Sequence, residues 1–109
     1  MQKNACILIC DGNTDAFEKT LEAMEASIVE STDFYIVCNM NLTIKKLIED
    51  SSIFFEEVFV SFTKTLEEME EFCSTFEEFY FMVIIVEAGE TFDKNHLMEL
   101  INVPRESEN

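Results

Sequence analysis

The chain has 109 residues, enough for one domain and too few for two. Hydrophobic residues make up 48% of it, which supplies a core and excludes global disorder. Acids outnumber bases 23 to 7, a formal charge of −16 at pH 7; such a surface disfavours nucleic acid and anionic membranes and favours basic protein surfaces. Residues 1–11 contain a single Lys and no small-residue cleavage site, and the longest apolar run, 79–86, is too short to span a bilayer. The expectation is a cytoplasmic protein without a membrane segment. Its four cysteines, Cys6, Cys10, Cys38 and Cys73, lie in apolar stretches without CxxC spacing, as buried reduced thiols would.

In chain order, the first predicted strand is the apolar run 5–10. Gly12 then relieves a turn. A helix follows over 15–30, where Phe17, Leu21, Met24 and Ile28 recur at helical spacing. The run 34–38 predicts the second strand, and 42–52 a helix with a narrow stripe of Ile44, Leu47 and Ile48. Residues 58–62 predict the third strand. Thr65-Leu66-Glu67-Glu68 reads as a capping box, opening a helix whose buried face is Leu66, Met69, Phe72, Cys73, Phe76 and Phe79. The run 79–86 predicts the fourth strand, and 93–101 a last helix with Asp93 as N-cap and Leu97, Leu100 and Ile101 facing inward. Residues 1–103 thus form one acidic α/β domain, with 104–109 a flexible polar tail after Pro104. The order βαβαβαβα predicts a small, mainly parallel four-stranded sheet with flanking helices. The alternative is a ferredoxin-like α+β sandwich with 42–52 as an insertion.

In open parallel sheets, ligands bind beyond the carboxyl ends of the strands. Those ends carry Asp11, Asn39, Thr63 and Glu87, the place to look if the chain is a small enzyme. Glycine occurs only at Gly12 and Gly89, so neither a P-loop nor a GxGxxG turn can form. The lone His96 has no Cys or His at ligand spacing, which argues against a triad or a zinc site. No metal and no cofactor is expected.

The segment running from Phe34-Tyr-Ile-Val-Cys-Asn through Lys45-Lys46-Leu47 to Ser51-Ser52, with the strand and acidic helix after it to residue 73, resembles the latter half of STAS domains of the anti-sigma-factor antagonist type. The resemblance implies a regulatory protein-interaction module and puts Asn13-Thr14-Asp15 where that family carries its phosphorylation turn. Thr14 or Asp15 would then be the switch; otherwise Thr14 caps the first helix. The family's first two strands have no counterpart here.

Two predicted helices concentrate the acid. Asp15, Glu18, Glu22 and Glu25 form one column of carboxylates about 5–6 Å apart, close to the spacing of phosphates along a nucleic-acid strand. Glu67, Glu68, Glu70, Glu71, Glu77 and Glu78 oppose the apolar stripe of the third helix, with Lys64 the only base nearby. Like charges so placed destabilise a helix by a few tenths of a kcal/mol per pair, roughly. Uncompensated, they point to a function: a non-enzymatic inhibitor or regulator binding a basic partner, as a nucleic-acid mimic of phage or mobile-element type. Eight of the 11 Phe lie between 54 and 81, so Phe54, Phe55 or Phe81 are candidates for an apolar patch joining two copies as a homodimer.

Overall fold

The computed structural model describes residues 3–26 and 32–89. The elements are β1 (Asn4–Cys10), α1 (Thr14–Glu25), β2 (Thr32–Asn39), α2 (Leu42–Asp50), β3 (Phe55–Ser61), α3 (Leu66–Ser74), a 3₁₀ turn (Thr75–Glu78) and β4 (Met82–Glu87). The sheet is four-stranded and wholly parallel, in the order β3-β2-β1-β4. The α/β expectation is met. The ferredoxin-like alternative falls: it needs antiparallel neighbours, whereas α2 is a true crossover that returns the chain to start β3 parallel to β2.

β1 lies at the centre, and every one of its seven side chains is buried. Its pleat sends Cys6, Leu8 and Cys10 to one face, where Phe17, Leu21 and Met24 of α1 and Ile44 of α2 cover them. Ile7 and Ile9 point to the other face, under Met69 and Cys73 of α3. The direction of winding explains the split: β1→β2→β3 steps one way along the sheet, and β3→β4 passes back over β1 to the far side. Crossovers of one hand place helices on opposite faces when the direction reverses.

Local chemistry sets the helix starts. Asn13 caps α1, its Oδ1 accepting from the Ala16 amide at 3.1 Å. Asn41 caps α2, accepting from the Ile44 amide at 2.8 Å. The Thr65–Glu68 capping box forms as expected, with bonds of 2.9 and 3.2 Å. Those bonds hold the Glu68 carboxyl below the usual carboxylate range, through the Thr65 backbone amide first and its hydroxyl second.

Boundaries differ from the expectation at several elements. β3 starts at Phe55, and Glu56 is accommodated as a bulge between the pairs Phe34–Phe55 and Tyr35–Glu57. α3 gives way to the tighter 3₁₀ turn at Thr75, which takes Phe79 off the buried stripe and leaves it 78% exposed. β4 therefore begins at Met82, not at 79. α1 ends at Glu25 with Ala26 as its C-cap; Ile28 and Glu30, the predicted helix 93–101 with His96, and the tail 104–109 lie outside the described residues.

Beside α3 the second face is aromatic. Tyr35, Phe59, Phe72, Phe76 and Tyr80 interlock, with Tyr35–Phe76 and Phe59–Phe72 edge-to-face at 4.8 and 4.9 Å. Tyr80 donates to Asp33 Oδ2 at 2.8 Å and bonds the Tyr35 hydroxyl, while Lys3 pairs with Asp33 at 3.3 Å. Desolvation first, and these partners next, raise the Tyr80 phenol above its ordinary range.

The four thiols are buried and unpaired. Burial pushes Cys6 and Cys38 up to about 12 and Cys73 to about 11, and raises Cys10 as well. A thiol with a raised folded-state pKa keeps its proton while the unfolded thiol loses its own. Stability is therefore intact below the ordinary value of 9.0 and lost progressively as pH climbs toward 12. Urea titrations at stepped pH are expected to show that alkaline decline, with thiol alkylation at neutral pH proceeding only as fast as the chain opens. A second expectation concerns the phenylalanines. Phe17→Ala, at a fully buried site, is expected to cost about 3–5 kcal/mol. Phe54→Ala and Phe79→Ala, at sites 76% and 78% exposed, are expected to cost about 0.5 kcal/mol or less in the same titration.

Candidate functional site

The carboxyl end of the sheet collects polar residues on three loops. Asp11 Oδ1 accepts from the Asn13 amide at 3.1 Å and shapes the turn after β1, where Gly12 takes φ +111°. An L side chain rarely adopts that angle. Asn39, at the end of β2, is 9% exposed. Its amide nitrogen donates to the carbonyls of Asp11 (3.1 Å) and Lys64 (2.8 Å), and its Oδ1 accepts from the Ser61 hydroxyl (2.8 Å) and the Lys64 amide (3.0 Å). Four bonds saturate a carboxamide. Asn39 therefore ties the ends of β1, β2 and β3 together and has no capacity left for a ligand.

Thr14 does not cap α1, since Asn13 does. The Thr14 hydroxyl is half-buried and accepts from Asn41 Nδ2 at 3.3 Å, and the same amide donates to the Gly12 carbonyl at 3.3 Å. Thr63 is exposed beyond β3, and Glu87 closes β4 on the far side of β1. Of the four end-of-sheet residues the structure joins Asp11 to Asn39 only. Thr63, in the loop after β3, and Glu87, at the end of β4, belong to opposite edges of the sheet, whose edge strands lie about 14 Å apart at the ordinary spacing.

In this strand order the ligand crevice of a doubly wound sheet would open between β1 and β4, where the winding reverses. Here the chain fills it. The Ala88 amide bonds the Ile9 carbonyl at 2.9 Å, and the Gly89 amide bonds Thr20 Oγ1 of α1 at 2.9 Å. Gly89 has φ +97°, and a Cβ there would lie 3.3 Å from Ala16 Cβ. The turn after β4 is seated on the first turns of α1. Among the described residues no three His, Cys, Asp or Glu side chains converge as a metal ion would need, and no helix is long and apolar enough to cross a membrane.

The two acidic helices lie on opposite faces of the sheet and form two separate surfaces. On α1, Asp15, Glu18 and Glu22 are exposed beside Lys19. Glu25 is half-buried, and its Oε2 accepts from Ser52 N (2.8 Å), Ser52 Oγ (3.1 Å) and Ser51 Oγ (3.3 Å), fastening α1 to the turn before β3. α2, on the same face, adds Lys45 and Lys46, the latter 3.5 Å from Asp50. That face is mixed in charge. On the other, Glu67, Glu68, Glu70, Glu71, Glu77 and Glu78 are all exposed. Glu68 is engaged by Thr65; among the described residues nearby, Lys64 alone is basic. Glu57, paired with Tyr35, joins this side by the pleat of the sheet.

The α3 side also has relief. A hollow of about 300 Å³ opens between β3 and α3, with Val37, Phe59 and Phe72 as floor and Lys64 at its rim. Phe79 stands over a smaller one with Phe72 and Phe76. Of the Phe proposed for an apolar patch, Phe54 and Phe81 are exposed, but they precede strands on opposite edges, and Phe55 packs against the α1–α2 core. Phe62 and Phe79, expected inside a strand and on a buried helix stripe, are the other exposed ones. Their signal was position: each follows directly on the end of a regular element.

No protein-family model, curated protein or solved structure matches this chain.

The lock formed by Asn39 is open to test. Asn39→Asp keeps the shape but points a carboxylate oxygen at two carbonyls, and is expected to cost about 2–4 kcal/mol in urea unfolding at neutral pH. Thr63→Ala, at an exposed site, is expected to stay within about 0.5 kcal/mol.

Proposed function

We propose that this chain is a non-enzymatic binding protein, an inhibitor or regulator, whose α3 side occupies a basic protein surface in the manner of a nucleic-acid mimic. The carrying observation is the one-sided display of Glu67, Glu68, Glu70, Glu71, Glu77 and Glu78, exposed and, among the described residues, answered locally by Lys64 alone. Mutual repulsion among these carboxylates costs stability, and a basic partner returns it by supplying counter-charge. α1 is the weaker candidate, because Glu25 is spent on the Ser51–Ser52 turn and three lysines share its face. A groove closing on one acidic face meets α3 and leaves α1 on the far side of the sheet. The end of the sheet, where an enzyme of this architecture would hold its substrate, is occupied by Asn39 and by the turn at Gly89.

Capture from lysate of the encoding cell tests this. Basic proteins are expected to bind at about 0.05 M salt and elute by about 0.5 M, as screened charge requires. Replacing Glu67, Glu70, Glu71, Glu77 and Glu78 by Gln, with Glu68 kept for the capping box, is expected to weaken binding about tenfold or more. The set Asp15→Asn, Glu18→Gln and Glu22→Gln is expected to change it less than threefold, roughly. Capture indifferent to salt, or equal losses from both sets, would sink the proposal.

A further inference from the structure

We infer that the outer edge of β3, from Val58 to Ser61, pairs with an extended segment of the basic partner, adding a fifth strand to the sheet. This rests on the acidic-surface reading above and gives it a backbone component.

The free groups can be identified. The Ser61 carbonyl accepts from the Met40 amide at 2.9 Å, so Ser61 faces β2. A residue's N–H and C=O point to one side of a strand and alternate along it. Phe59 and Glu57 therefore also face β2, and Val58 and Val60 face outward. β3 is the terminal strand of the sheet, so among the described residues these outward groups meet no neighbouring strand. Soluble proteins guard such edges with bulges and charge. β3 has both, but only in its first half: the bulge falls at Glu56, and Glu56 and Glu57 are its charged residues. Beyond them the edge runs Val58-Phe59-Val60-Ser61, with Val60 52% exposed and Phe62, just past its end, 76% exposed. The hollow floored by Phe59 and Phe72 lies against this same half, placed to take alternate side chains of an added strand.

Charge selects the occupant. Glu56 and Glu57 stand at one end of the open edge, and the carboxylates of α3 stand across the hollow. An extended segment alternating apolar with basic residues satisfies the backbone, lays its apolar side chains beside Val58 and Val60 on one face, and turns its basic ones over the hollow toward the carboxylates on the other. A second copy of this chain would bring another −16 of charge to the contact and is disfavoured on that ground.

The probes are an eight-residue peptide alternating valine with arginine and a polyarginine peptide of equal charge. The first is expected to slow amide hydrogen exchange at Val58 and Val60; polyarginine, held by carboxylates alone, is expected not to. Val60→Pro removes an outward N–H that β2 does not use. It is expected to weaken the alternating peptide at least about tenfold while leaving polyarginine within about twofold. Val60→Lys, which charges the same edge, is expected to act in the same direction and guards against a folding defect peculiar to proline. If polyarginine itself fails to bind, the acidic-surface reading falls. If it binds but the alternating peptide gains nothing over it, or Val60→Pro leaves the alternating peptide unchanged, the edge reading alone falls. Val58 and Val60 amides already protected in the protein alone would overturn it in favour of cover by residues 90–109. A dimer in sedimentation that Val60→Pro dissolves would overturn it in favour of a second copy.

Discussion

The constraint on which the rest of the structure depends is the complete burial of β1. A strand with no exposed side chain must be covered on both faces and paired on both edges, and each requirement is met by a different part of the chain. β2 and β4 pair with its two edges in matching register, and α1 with α2 covers one pleat while α3 covers the other. Because the two helical layers are fixed on opposite faces by β1, the acid they carry is divided too. The mixed-charge layer and the acidic layer are consequences of one strand's burial as much as of the helices' own composition.

Much of this was legible in the sequence. The runs that became β1 and β2 are nearly continuous in hydrophobicity, which only a strand buried on both faces needs. The capping box at Thr65 fixed the start of α3 to the residue. What misled was periodicity extended past its physical end. Phe79 continues the spacing of the α3 stripe, yet three residues per turn from Thr75 onward rotate it out. Phe62 continues the apolar run of β3, but the Asn39–Lys64 bonds draw the chain into a loop just after Ser61. Glu56 hid the first residues of β3 because a bulge has no signature beyond an apparently misplaced charge.

The site was less legible. Asn39 stands where a ligand-binding residue would stand, and only the fold reveals that all four of its hydrogen-bonding positions are taken. Asn13, Thr14 and Asp15 are each competent caps; the choice of Asn13 depends on where the turn at Gly12 delivers the chain. Glu25 read as part of a charged column, and its use by Ser51 and Ser52 depends on a turn 26 residues away. Net charge and its clustering in two helices were visible; which cluster lies on the face away from Lys19, Lys45 and Lys46 required the topology.

The pairing of β1 has a consequence for how the chain comes together. Asn4 pairs with Thr32 on one side and with Met82 on the other, so the central strand stays half-paired until almost all of the described chain exists. Parallel pairings over such separations form slowly, and the waiting strand is a run of apolar residues able to stick to its own kind. During synthesis, many nascent chains would hold that run open at once. Most of the acid behind the charge of −16 precedes β4 in the sequence, and like charge keeps those incomplete chains apart. The same acid that loosens the finished fold thus protects the unfinished one, and a neutralised variant would be expected to show its first defect as a lower yield of folded protein.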